Sequence, residues 1–145
     1  MASYYLDTSA LFKRYVLEEG SDVVTALFDK GEPLFISAIT LCEVISNLRR
    51  LVDVDGILKS EEFDLLRATF LGDVGDNLLE VIELNTAIIL ASLDLASKKY
   101  VTPIDAVQLA TALFLPEETV FVCSDQKLLR LALEYGLAVL DPTGS

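Results

Sequence analysis

The sequence predicts an α/β domain in which a mostly parallel sheet is sandwiched between helices. Short runs of almost continuous Val, Ile, Leu and Phe recur along the chain, the composition of strands buried on both faces. Between them lie segments with apolar residues at helical spacing, so strand and helix alternate as they do where parallel strands are joined by crossovers. No repeat, low-complexity tract or linker divides the 145 residues, and a single domain over 1–145 is expected.

Tyr4 to Asp7 is the first apolar run, followed by a helix whose stripe is Leu11, Phe12, Tyr15 and Val16 and whose end is Gly20. Ser21 to Lys30 reads as a second helix. Pro33 introduces the strand LFISAI, after which Thr40 opens a long helix with Leu41, Val44, Ile45, Leu48 and Leu51 on one face. Ser60, ahead of Glu61 and Glu62, caps a helix running through Leu71. The acidic, glycine-containing GDVGDN reads as a loop, LLEVIEL as a strand and Thr86 to Lys99 as a helix. Thr102 and Pro103 place a cap and a first-turn proline before a helix that Pro116 stops. TVFVC is a strand, SDQKLLRLALEYG a helix closed by Gly136, and LAVLD a last strand. In such sheets the functional crevice lies beyond the carboxyl ends of the strands. Strand ends and helix starts are therefore the residues to weigh.

Composition narrows the chemistry. The chain has no histidine, which excludes Ser-His-Asp and Cys-His catalysis and histidine-held zinc. Its two cysteines, Cys42 and Cys123, are too few for a four-cysteine zinc site and read as buried, reduced thiols of a cytoplasmic protein. No basic region precedes the first apolar residues, so a signal peptide is not expected, and the apolar stretches are too short to span a membrane. A mean hydropathy of +0.48 is high for a small domain and predicts that part of the surface meets another chain. A homodimer built on helices between Thr40 and Leu71 is the expected form.

Four carboxylates stand at the informative positions: Asp7 at the end of the first strand, Glu43 in the helix after LFISAI, Asp105 at the head of PIDAVQLATALFL, and Asp125 after TVFVCS. Each has an ordinary reading as a helix cap, with Thr40 to Glu43 spaced as a capping box. Asp105 opens a helix apolar almost all round, where an ionised carboxylate needs a partner. Caps alone do not explain four acids on one edge, where two carboxylates about 5 Å apart repel by roughly 3 kcal/mol at an effective dielectric near 20. Lysine, arginine or a hard divalent cation would relieve that repulsion, and oxygen-only ligands suit Mg²⁺ or Mn²⁺.

These acids with their flanks resemble the PIN-domain nucleases, particularly the short VapC-type toxins. The matching pieces are Tyr5-Leu-Asp7-Thr-Ser9-Ala-Leu11, Thr40-Leu-Cys-Glu43-Val, Asp105-Ala-Val-Gln-Leu-Ala-Thr-Ala and Ser124-Asp125 with Leu128-Leu129 and Gly136-Leu137, spanning about Tyr4 to Pro142. The resemblance implies a PIN-like three-layer fold with a five-stranded, mostly parallel sheet, and metal-dependent cleavage of RNA. It implies that Asp7, Glu43, Asp105 and Asp125 hold Mg²⁺ or Mn²⁺, with Asp7 and Asp105 as principal ligands, and that Ser9 supports the first acid or the scissile phosphate. It also implies a cognate antitoxin, whose basic C-terminal segment is expected over the acidic site. The chain departs from the family pattern at Cys123, where many members carry threonine, and has a hydroxyl instead at Ser124.

A net charge of −12 opposes nonspecific RNA binding, which rests on Lys and Arg contacts to phosphate. Lys13, Arg14, Arg49, Arg50, Lys127 and Arg130 lie on helices that begin beside a candidate ligand, Arg50 on Glu43's own face, and no aromatic and basic interleaving marks a stacking platform. Two other classes fit less well. A receiver-type or aspartyl-phosphate phosphotransfer domain also ends its first strand in Asp, but needs a second acid where this chain has Ser9. A catalytically silent binding module would have no need of all four acids.

Overall fold

In a computed structural model, which describes residues 2–144, five parallel strands form one sheet in the order β3-β2-β1-β4-β5. The strands are β1 (Ser3–Leu6), β2 (Leu34–Ser37), β3 (Glu80–Ile82), β4 (Thr119–Val122) and β5 (Ala138–Leu140). The helices are α1 (Thr8–Phe12), α2 (Ser21–Asp29), α3 (Ala38–Asp53), α4 (Ser60–Gly75), α5 (Thr86–Lys98), α6 (Pro103–Leu113) and α7 (Gln126–Glu134). The expected parallel α/β architecture is present, with β1 at its centre and paired to both β2 and β4.

Side chains alternate across the sheet and build a core on each face. Leu6, Ile36 and Val122 face one way and pack with Leu11, Val24, Val44, Leu48 and Phe70 from α1 to α4. Tyr5, Phe121 and Cys123 face the other way and meet Ile88, Leu109, Leu128 and Ala132 from α5 to α7. The Tyr5 and Phe121 rings stack across the β1–β4 register with centroids 5.6 Å apart. Helices thus cover both faces and leave the carboxyl edge of the sheet for the site.

Several local expectations are corrected. The first helix ends at Phe12 rather than near Gly20. Lys13, Arg14 and Tyr15 donate their N–H groups to carbonyls three residues back, a tightening that turns Tyr15 inward. Its hydroxyl donates to Asp73 at 2.6 Å, and Arg14 pairs with the same carboxylate at 3.4 Å. Asp73 is itself buried because α4 continues to Gly75, through the first half of the stretch read as a loop. Two buried partners outweigh the local glycine signal. The α4 cap is Lys59, one residue before Ser60, and the Glu62 carboxylate accepts the Lys59 N–H at 2.9 Å. Cys42, expected in the core, is exposed, whereas Cys123 is buried as expected.

The start of α3 is the correction with most bearing on function. Ser37 is its cap, the hydroxyl accepting from the Ile39 N–H at 3.2 Å. Thr40 therefore lies inside the helix, and Glu43 is a full turn past the position at which a capping box would use it. The capping explanation of Glu43 falls.

Candidate active site

All four sequence-predicted acids, with Ser9, line one cavity of about 210 Å³ at the carboxyl edge of the sheet. Thr8, Asn47 and Gln108 complete its wall, and no lysine or arginine belongs to it. Asp7 follows β1, Glu43 stands on the helix after β2, Asp105 in the first turn of α6, and Asp125 between β4 and α7. Four separate stretches of chain thus deliver one carboxylate each.

Asp7 is the most enclosed, at 4% exposure. It caps α1, its Oδ1 accepting the Ala10 N–H at 2.9 Å, while Ser9 Oγ donates to both carboxylate oxygens at 2.8 and 3.0 Å. Cys123 Sγ donates to Oδ2 at 3.1 Å. Burial nevertheless dominates and pushes the Asp7 pKa up to about 6; these donors lower it and the charge of Asp105 adds to the rise. Burial also raises Asp105, which is further opposed by the charges of Asp125 and Glu43. Asp125 caps α7, Oδ1 accepting from the Lys127 and Leu128 N–H groups at 2.9 and 3.1 Å. Capping and cavity lining therefore coexist in Asp7 and Asp125, and the two readings of the sequence were never exclusive.

Glu43 is held by a polar network that sequence reasoning missed. Gln108, 1% exposed, donates from Nε2 to Glu43 Oε1 at 3.1 Å, to Thr40 Oγ1 at 2.9 Å and to Thr8 Oγ1 at 3.1 Å. Its Oε1 accepts from the fully buried Tyr5 hydroxyl, and Thr8 Oγ1 donates to Glu43 Oε1. The available signal was a lone amide in the run from Ala106 to Ala110, since a buried amide needs partners.

The departure at Cys123 also has a structural answer. Its sulfur donates to Asp7 and accepts the Asp125 N–H at 3.3 Å, joining two of the acids. The Ser124 hydroxyl does not share in that bridge, and among the described residues its buried Oγ has no partner. The Ser124 N–H donates instead to Ser9 Oγ at 3.1 Å. Arg50, expected beside Glu43, lies outside the cavity and approaches Asp55 at 4.0 Å.

The donor set fits a hard divalent cation in chemistry: carboxylate oxygens, one of them costly to ionise, with no cationic side chain to offset them. As the side chains stand, no three acidic or cysteine residues among the described residues form a ready-made metal cluster. Asp7, Glu43, Asp105 and Asp125 are the residues that could close on an ion.

The family model described as PIN domain matches residues 4–134. No curated protein matches the chain. Similar solved structures include FitAcB from Neisseria gonorrhoeae, with a TM-score of 0.72 at 18% identity over 98% of both chains. DNA-bound VapBC from Salmonella typhimurium has a TM-score of 0.66 at 22% identity, over 98% of this chain and 99% of that one. A toxin-antitoxin complex from Klebsiella pneumoniae gives 0.67 at 16% identity, again over 98% and 99%. The structures agree on the fold, the family model spans nearly the whole chain, and the chain belongs to the PIN domain family.

Proposed function

We propose that the chain is a metal-dependent endoribonuclease of the VapC toxin type, hydrolysing RNA phosphodiester bonds with Mg²⁺ or Mn²⁺ in the cytoplasm. The observation that carries this reading is the convergence of four carboxylates on one cavity without a cation. The likeness to FitAcB and VapBC, and to a structure described as a toxin-antitoxin complex, supports the toxin assignment. Among the described residues no helix is long and apolar enough to cross a membrane.

Asp7 and Asp105 are the principal metal ligands, and Glu43 and Asp125 complete the shell or orient the attacking water. A metal held there supplies Lewis-acid stabilisation of the phosphate and a hydroxide near neutral pH without histidine. Ser9, donating to both Asp7 oxygens, fixes that carboxylate's rotamer, and Gln108 with Thr8 does the same for Glu43. The low exposure of Asp7 excludes bulk water from one side of the site. A phosphotransfer role is disfavoured because each Asp7 oxygen already accepts from two donors, which blunts it as a nucleophile. Partners follow from the same charge. An arginine from a basic antitoxin segment would pair bidentately with Asp7, Asp105 or Asp125, displacing the metal, so inhibition is competitive with metal.

RNA cleavage by the purified chain, with and without chelator, tests the reading. Asp7→Asn, Asp105→Asn and Glu43→Gln each abolish metal-dependent cleavage while far-UV circular dichroism is unchanged, and Asp125→Asn is milder. Full cleavage by Asp7→Asn rejects the mechanism. Cleavage that survives the chelator rejects the metal.

A further inference from the structure

A second, larger cavity of about 590 Å³ adjoins the acidic one and shares Asp105 and Asp125 with it. It runs between the α5–α6 connection, which supplies Lys99, Tyr100 and Thr102, and α7, which supplies Lys127, Arg130 and Glu134. Its floor includes the buried side chains of Leu128 and Leu131, and the Tyr100 ring is 90% exposed. The chain's positive charge is unevenly committed. Lys13, Arg14, Arg49, Arg50, Lys98 and Lys99 are each engaged with a carboxylate. Among the described residues Lys127 and Arg130 have no carboxylate partner, although 23 acids are available, and both line this groove.

We propose that this groove is the binding site for the single-stranded stretch of RNA flanking the scissile phosphate, with Lys127 and Arg130 on backbone phosphates and a base against Tyr100. The inference rests on the nuclease reading and adds the strand's path and its single-stranded character. Cations beside an apolar floor and an exposed ring suit a phosphate and a base face together, the pairing used in sequence-tolerant single-strand sites. A groove of this volume falls in the range of sites for small ligands and admits an unstacked nucleotide. A duplex keeps its base faces stacked and offers nothing to the floor. A basic antitoxin segment is the other candidate occupant, but Lys127 and Arg130 repel it while the neighbouring carboxylate cavity attracts it. The expectation that no aromatic accompanies the basic residues is thereby corrected: Lys99 and Tyr100 are brought opposite Lys127 and Arg130 by the fold.

The test measures binding of a fluorescein-labelled, mixed-sequence single-stranded RNA to the Asp7→Asn protein, which holds without cutting, alongside cleavage by the otherwise wild-type chain. Lys127→Ala with Arg130→Ala weakens binding by about tenfold or more and lowers the salt dependence by about one counterion for each charge removed. Tyr100→Ala weakens binding about tenfold with the salt dependence unchanged. In the cleaving protein both changes raise KM and spare kcat, and the metal-induced rise in melting temperature stays as in wild type. An RNA affinity and KM unmoved by the double substitution, in a protein that still cleaves, overturn the groove and leave the nuclease standing. Weakened capture of co-expressed antitoxin with unmoved RNA affinity assigns the groove to the protein partner and also overturns it. A wild-type chain that cleaves no RNA overturns both.

Discussion

At Asp7 the burial that raises its pKa to about 6 also ties folding to pH. The unfolded carboxyl titrates near 3.9, so between about pH 4 and 6 the folded state binds more protons than the unfolded one, and stability falls as pH rises. The stabilising effect of the proton is complete below about pH 4 and gone above about pH 6. The difference of about two units corresponds to about 3 kcal/mol. Calorimetry of the metal-free protein is expected to show this fall, and Asp7→Asn to flatten it and raise the melting temperature at pH 7.5 by about 5 °C. Saturating Mn²⁺ should do the same for wild type, by about 2.7 kcal/mol at a hundredfold excess over Kd, and little for Asp7→Asn. A variant less stable than wild type at pH 7.5 without metal would show that Asp7 serves the fold. The acids themselves were legible because each is a charge at a strand end or helix start. Gln108 and Cys123 were not, because their partners lie 65 to 116 residues away and only the fold supplies them.

Among the elements, the turn between α1 and α2 depends on one glycine. Gly20 has φ of +90°, and a Cβ there would stand 2.8 Å from the Pro142 carbonyl oxygen. Both the left-handed backbone and contact with another stretch of main chain argue for glycine. Gly20→Ala should cost about 2 kcal/mol, read as a lower urea midpoint with an unchanged slope. An unaltered midpoint would mean that the C-terminal segment moves aside freely. This turn also explains which element boundaries were legible. Strands and the α5, α6 and α7 helices follow from local pattern: Asn85 and Thr102 cap their helices, and Pro103 fixes the start of α6. The ends of α1 and α4 do not, because Tyr15 and Asp73 satisfy each other across the fold, and one long-range pair overrides two local tendencies at once. Ser37 displaced Thr40 as the α3 cap for a simpler reason. Both are good caps, and the end of β2 decides between them.

For the molecule as a whole, the high hydropathy resolves into two exposed groups. Val54, Ile57 and Leu65 lie in and beside α3 and α4, while Leu90, Leu93 and Phe114 lie on α5 and just past α6. Sedimentation is expected to give a dimer at micromolar concentration that Leu65→Glu dissociates and Leu93→Glu does not. The reverse pattern moves the interface to α5, and a wild-type monomer rejects it. The strand order has a consequence in time. β1 is made first but sits in the middle of the sheet, and its β4 neighbour arrives late, Cys123 following Asp7 by 116 residues. At ribosomal speeds that interval is on the order of ten seconds. Throughout it the nascent chain carries Asp7 without Asp125 or the Cys123 thiol that joins them. The acidic cavity therefore closes only near the end of synthesis, and a chain interrupted anywhere before β4 is born without it.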